Sequence, residues 1–202
     1  MTWQVRAQVV DIRSDLPRSG DTLWVDTNVW IWLTYSRTHP PHAPPYITYV
    51  AAMRKAGAQM IAGPINFSEL AKHIEITELF AWQARTGRAQ DTRELKYFRG
   101  QTAERQDVTD EIQACWTHVS TFAQLPASPI ESTCVTTASV NLKAGDFLDG
   151  HDAVLVAEAR KNGIATVLTD DGDYASVDGI TLFTANGRVI GEARRVGKLV
   201  VR

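Results

Sequence analysis

Apolar residues fall in short bursts separated by polar turns, and the spacing within each burst changes along the chain. Residues 2–11 alternate weakly through Trp3, Val5, Ala7 and Val9, which predicts an edge strand. Leu23-Trp24-Val25 is a short apolar strand that stops at Asp26, and TNVWIWLTYS then opens a helix with Thr27 or Asn28 as its cap. HPPHAPP, residues 39–45, is a stiff loop, and Pro44 or Pro45 suits the first turn of a helix running to about Ala56 before Gly57. Residues 58–62 read as a strand broken by Gly63-Pro64. Ile65, Leu70, Ile74, Leu79 and Phe80 then mark one face of a long helix over about 65–84.

Residues 85–125 are charged and mostly helical, interrupted at Gly87 and Gly100 and closed by Pro126 and Pro129. An amphipathic helix follows over 151–161, stopped by Asn162-Gly163. Ile164–Leu168 and Ile180–Phe183 read as strands. Asn186-Gly187 is a hairpin-type turn signal, so Val189-Ile190 and Leu199-Val200-Val201 are expected to pair as a terminal ribbon. Strands alternating with helices point to an α/β fold with a mostly parallel sheet. The expected organisation is one domain over 1–202: a core at about 23–183, a helical lobe at about 85–145, and accessory strands at 2–11 and 187–201.

Composition narrows the function classes. The chain is 44% apolar and 22% charged, with a formal net charge of -2, so neither disorder nor nucleic-acid binding by bulk positive charge is expected. No apolar run approaches the ~18 residues of a membrane span, and MTWQVRAQVVDIR lacks the apolar centre of a signal peptide, so the expected compartment is the cytosol. Cys115 and Cys134 lack zinc-site spacing and are expected as two reduced, buried thiols. The sequon Asn66-Phe67-Ser68 carries no weight without secretion. Fingerprints of serine hydrolases, P-loop NTPases and dinucleotide-binding folds are absent.

The chemistry-bearing feature is a set of carboxylates. Two apolar strands run into acids, LWV into Asp26 and IATVLT into Asp170, Asp171 and Asp173. Glu69 in NFSEL and Asp152 in DGHDAVL sit near helix starts. In a parallel sheet both strand ends share one edge, which is where sites lie. Crowded carboxylates raise one another's pKa, and a cation relieves them. Oxygen donors without a Cys or His set favour Mg²⁺ or Mn²⁺. Each acid also has an ordinary reading: Asp26 as a helix cap, Glu69 as solvated surface, Asp152 as a first-turn acid, and the Asp run as a turn.

VDTNV, a helix carrying SEL, DAVLVAEA and VLTDDGDY, in that order, resemble the PIN-domain nucleases. The similarity is greatest to the VapC-type toxins of bacterial and archaeal toxin–antitoxin pairs. It spans about residues 23–183, with a longer middle segment than compact members have. The resemblance implies a three-layer α/β/α sandwich and divalent-metal-dependent endoribonuclease activity on RNA. It also implies frequent homodimers and, for a toxin, an antitoxin partner. Residue by residue it makes Asp26, Glu69, Asp152 and Asp171 the catalytic and metal-binding acids, with Asp173 an auxiliary ligand and Asn28 and Thr169 in support. Asp149 could assist or replace Asp152, and Asp170 competes with Asp171, which the motif favours.

Substrate contacts are less sharply marked. Arg85, Arg88, Arg93, Lys96, Arg99 and Arg105 could form a basic flank for a phosphate backbone, although Asp91, Glu94 and Glu104 dilute it. Tyr97, Phe98 or Trp82 could stack bases. His73 shares a helix face with Glu69, His151 stands at the pocket rim, and His39 and His42 lie in the proline loop. Two other functions stay open: a small-molecule phosphoesterase on a related scaffold, and a non-catalytic interaction module.

Overall fold

The computed structural model describes residues 4–126, 130–143 and 145–202. Trp3 of the N-terminal strand reading and Pro129 of the lobe boundary lie outside them. Six parallel strands form one sheet: β1 (Gln8–Asp11), β2 (Thr22–Val25), β3 (Gln59–Ile61), β4 (Thr166–Leu168), β5 (Thr181–Thr184) and β6 (Leu199–Val200), in the order β3-β2-β4-β5-β1-β6. The helices are α1 (Thr27–Thr34), α2 (Pro44–Ala56), α3 (Pro64–Arg85), α4 (Leu95–Arg99), α5 (Thr102–Phe122), α6 (Ser132–Lys143), α7 (Gly150–Lys161) and α8 (Gly187–Arg195).

The two-residue side-chain period of each strand divides the core in two. Val9, Trp24, Ile61, Val167 and Leu182 face one way and pack with Ala138, Leu155, Ala159, Val189 and Ile190 of α6, α7 and α8. Val10, Leu23, Val25, Met60, Leu168 and Phe183 face the other way, against Trp30, Tyr46, Val50, Leu70, Ile74 and Val119 of α1, α2, α3 and α5. The result is the expected three-layer α/β/α sandwich. The lobe adds a small cluster of its own: Leu79, Trp82, Phe98 and Val108.

The chain ends differ from the sequence expectation. β1 is not an edge strand but lies between β5 and β6. Val9 and Val10 are both buried, as a strand covered on both faces requires, and that removes the clean alternation an edge would show. The terminal ribbon does not form. Asn186 instead accepts the Arg188 and Val189 N–H groups and caps α8, which holds Val189 and Ile190, and β6 pairs with β1. Asn-Gly serves a helix start as well as a hairpin, and only tertiary pairing separates the two. The start of α1 is also shifted by one residue, because Asp26 rather than Thr27 or Asn28 is its cap. Both cysteines are free and buried, as expected.

The strand order reverses beside β2. The chain leaves β2 for β3 on one side, while β4 and β5 extend the sheet on the other. Such a switch point opens a crevice at the carboxyl ends of the strands. Asp26 N–H donates to Leu168 O at 3.0 Å, so the ends of β2 and β4 are in register there.

α3 starts in close contact with the sheet. A Cβ on Gly63 would stand 2.6 Å from Cζ2 of Trp24 and 2.9 Å from Oε2 of Glu158, so only glycine fits. Glu158 of α7 is fully buried, and neither of its carboxyl oxygens has a hydrogen-bond partner among the described residues. Burial pushes its pKa up to about 7 from the ordinary 4.5, against the opposing charge of Lys161. A raised folded-state value means stability is fully present below the unfolded pKa and is lost as pH rises through 7. Replacing Glu158 with Met removes that loss. The unfolding free energy of wild type relative to Glu158→Met should fall by about 3 kcal/mol between roughly pH 4.5 and 8. Urea unfolding at several pH values measures it, and a pH-independent difference would contradict a neutral buried Glu158.

Candidate functional site

Four segments deliver acids to the crevice. Asp26 ends β2 and caps α1, with Oδ1 accepting the Thr27 N–H at 2.7 Å. Glu69 lies on α3, six residues from its cap. Asp152 is in the first turn of α7, and Asp171 caps the short 3-10 turn Gly172–Ser176 after β4. All four line one cavity of about 390 Å³, together with Thr27, Asn28, Ile31, Trp32, Lys72, His73, Ile76, Asp149 and His151. Asp26 is both the helix cap of the ordinary reading and part of this wall.

The acids are held by hydroxyls whose hydrogens have one place to go. The Thr169 hydroxyl accepts from Asn28 Nδ2 and from the Asp171 N–H, both at 2.9 Å, and therefore donates to Asp26 Oδ2 at 2.5 Å. The buried Tyr174 hydroxyl donates to Asp152 Oδ1 at 2.8 Å. The Thr27 hydroxyl donates to Glu69 Oε2 at 2.5 Å. Asp149 accepts the His151 and Asp152 N–H groups, so it caps α7 while also lining the cavity. Asn28 Oδ1 is buried with no hydrogen-bond partner among the described residues.

Burial and mutual repulsion dominate the electrostatics. Burial drives Asp26 well above the ordinary carboxylate range, the charge of Asp152 adds to it, and the Thr169 bond opposes it. Burial lifts Asp152 to about 7, against the Tyr174 bond and with the charges of Asp149, Asp171 and Glu69 behind it. Glu69 is raised by burial and restrained by Thr27 and His151, whose Nδ1 stands 4.0 Å from Glu69 Oε1. Lys72 also lines the wall, and its charge helps to restrain Glu69. Burial lowers His73, which sits 3.3 Å from the Thr38 hydroxyl.

The remaining sequence candidates separate clearly. Asp173 lies outside the cavity lining; its N–H donates to Asp171 Oδ1. Asp170 also turns away, accepting the Tyr46 hydroxyl at 2.6 Å with His42 Nε2 at 3.6 Å. The basic flank does not reach the cavity. Arg85 pairs with Glu104, Arg88 with Glu94, Arg93 with Asp91, and Arg99 and Arg105 both with Glu75, while Lys96 is exposed and absent from the lining. The turn around Asp91 and Glu94 and the packing of α3 against α4 and α5 supply those acids, so the positive charge is neutralised inside the lobe. Phe98 and Trp82 are buried in the lobe cluster, which leaves Tyr97 as the exposed ring. The sequence pattern marked Thr27 only as a helix cap, Asn66 only in a sequon and Tyr174 only as the last residue of a motif, and it did not mark Lys72. Their roles depend on cross-strand and cross-helix contacts that spacing does not encode.

The donor set suits a hard dication: oxygen ligands, strained as carboxylates, with an unused amide oxygen beside them. Among the described residues no group of three or more His, Cys, Asp or Glu side chains is gathered so as to hold a metal ion. An ion at this wall would therefore meet fewer than three of these side chains directly and would complete its shell with water. Among the described residues no helix is long and apolar enough to cross a membrane.

No protein-family model matches the chain, and no curated protein does. Nine chains of solved structures match it. One belongs to VapBC2 from Rickettsia felis bound to a DNA fragment from their promoter, with 10% sequence identity, coverage of 80% of this chain and 96% of that chain, and a TM-score of 0.49.

Proposed function

We propose that the chain is a divalent-metal-dependent endoribonuclease that hydrolyses RNA phosphodiester bonds at the cavity of Asp26, Glu69, Asp152 and Asp171. One observation carries the reading. Four acids from four separate segments share a cavity in which burial and like charge hold Asp26 and Asp152 far from their preferred ionised state. Protons relieve such a cluster at low pH, and a cation relieves it at neutral pH. Asp26, Glu69, Asp152 and Asp171 would hold Mg²⁺ or Mn²⁺ in part through its waters, with Asn28 Oδ1 beside them. The ion, when bound, supplies a more acidic water and positive charge at the phosphate oxygens.

The protein's own groups supply the rest. Thr169 and Tyr174 fix the Asp26 and Asp152 carboxylates. Lys72 lines the same wall, where its charge acts on Glu69, and would take a backbone phosphate. Ile31, Trp32 and Ile76 give the same cavity an apolar side against which a base can lie. RNA as the substrate, a homodimeric state, a toxin role and an antitoxin partner are proposed on the motif resemblance of residues 23–183.

The expected result is cleavage of a labelled single-stranded RNA in Mn²⁺ that stops on adding a chelator. Chelator-resistant cleavage, or turnover of small phosphoesters with RNA untouched, would reject the reading.

A further inference from the structure

Asn66 is fully buried at the start of α3, so it is no glycan acceptor, and its amide has every hydrogen-bonding position filled. Its Oδ1 receives two groups that can only donate: the Gly63 N–H at 2.8 Å and the Trp24 Nε1–H at 3.2 Å. That fixes which end of the amide is oxygen. Its Nδ2 therefore donates, to Val25 O at 3.2 Å and to Thr27 Oγ1 at 3.0 Å. Thr27 Oγ1, having accepted, has one hydrogen left, and Glu69 Oε2 stands 2.5 Å away. One side chain thus ties the α3 start to the end of β2 and sets the direction of a hydroxyl at the cavity wall.

We propose that Asn66 and Thr27 are positioning residues for Glu69: the Asn66 amide orients the Thr27 hydroxyl, which grips one oxygen of the Glu69 carboxylate and leaves the other turned to the cavity. The free oxygen is Oε1, on the side of His151 Nδ1. The charge-assisted bond to Oε2 costs Glu69 rotamer freedom that a solvated glutamate would keep. The backbone contributes as well, because Gly63 lets α3 approach Trp24 closely enough for the amide to reach both partners. The inference rests on Glu69 being one of the acids of the proposed cleavage site.

Removing Asn66 leaves the Trp24, Gly63 and Val25 groups buried and unpaired, so such a variant can fail by unfolding. The Thr27 pair disturbs less, because Thr27→Val takes one acceptor from Asn66 Nδ2 and leaves it Val25 O. Thr27→Ser retains the hydroxyl, and Thr27→Val removes it with little change in volume. Three measurements on the full chain are compared: Mn²⁺ affinity by calorimetry, kcat and KM for RNA, and the Glu69 conformation in metal-free crystals. Thr27→Ser should match wild type in all three. Thr27→Val should lose about 10–100-fold in Mn²⁺ affinity and kcat, with KM little changed and Glu69 in a different rotamer. Equal Mn²⁺ affinity and an unmoved Glu69 in Thr27→Val would overturn the inference even if wild type cleaves RNA. If wild type does not cleave RNA, the nuclease reading falls. The Thr27→Val and Thr27→Ser difference in metal affinity then still decides the positioning role. Should wild type bind no Mn²⁺ either, the Glu69 rotamer decides it: moved in Thr27→Val supports the role, unmoved refutes it.

Discussion

Asp26→Asn should abolish RNA cleavage, lowering kcat by about a thousandfold or more, as removal of one member of a coupled catalytic set does. The same substitution should change stability in the opposite sense as pH rises. Asp26 is buried beside Asp152, so its folded-state pKa lies well above the ordinary 3.8. Its contribution to stability is complete below 3.8 and falls as pH climbs toward the raised value. Asparagine carries no such penalty and remains a good helix cap through its oxygen. It does lose the bond from Thr169, whose hydrogen points at Asp26 Oδ2, at a cost of about 1 kcal/mol. The metal-free melting temperature of Asp26→Asn relative to wild type should therefore rise between roughly pH 5 and 8. Added Mn²⁺ should shift the comparison back toward wild type, since only the form that binds the ion gains from it. Full cleavage by the variant would remove Asp26 from the chemistry. A pH-independent difference in melting would remove the carboxylate crowding.

The largest expected loss of stability lies far from the cavity, at Arg202. Its guanidinium reaches Asp15 at 2.6 Å and Asp21 at 2.8 Å and lies 4.7 Å over the Phe183 ring. Tyr49 of α2 donates to the same Asp15 carboxylate at 2.5 Å. The side chains are 17% exposed for Arg202 and 3% for Asp15, so this pair is not a screened surface contact. Arg202→Ala leaves two partly or fully buried acids without their cation, which should cost about 3 kcal/mol. For a chain of this length that is a melting-point drop of about 6–12 °C. Arg202→Lys should recover only part of it, because an ammonium lacks the planar fork that bonds both oxygens of each carboxylate while lying over Phe183. Differential scanning calorimetry measures the drop; a change under about 1 °C would mean the network contributes nothing net.

The two halves of the molecule were unequally legible in the sequence. Acids placed directly after apolar strands announced the crevice, because a parallel sheet puts such positions on one edge whatever the loops do. Asp171 over Asp170 was likewise readable from the motif, and the Tyr46 hydroxyl that turns Asp170 away supplies the physical cause. The chain ends were not readable. Val9 and Val10 do not show on which side of β5 their strand will add, and Asn186-Gly187 fits a hairpin and a helix cap equally well. Asp91, Glu94 and Glu104 were visible as acids diluting the lobe arginines, whereas Glu75 is brought to Arg99 and Arg105 only by helix packing. The contacts of Thr27, Asn66 and Tyr174 were hidden for a similar reason: Asn66 reaches Trp24 across 42 positions and Tyr174 reaches Asp152 across 22.

Everything proposed about chemistry depends on the cavity acids acting together on a dication. Calorimetric titration of the metal-free protein with Mn²⁺ tests that directly. Wild type should bind, more tightly at about pH 8 than at about pH 6, because Asp152 sits near 7 and must shed its proton to serve as a ligand. Asp152→Asn should bind at least about tenfold more weakly and lose most of that pH dependence. No measurable binding by wild type, or equal binding by wild type and Asp152→Asn, would contradict the account.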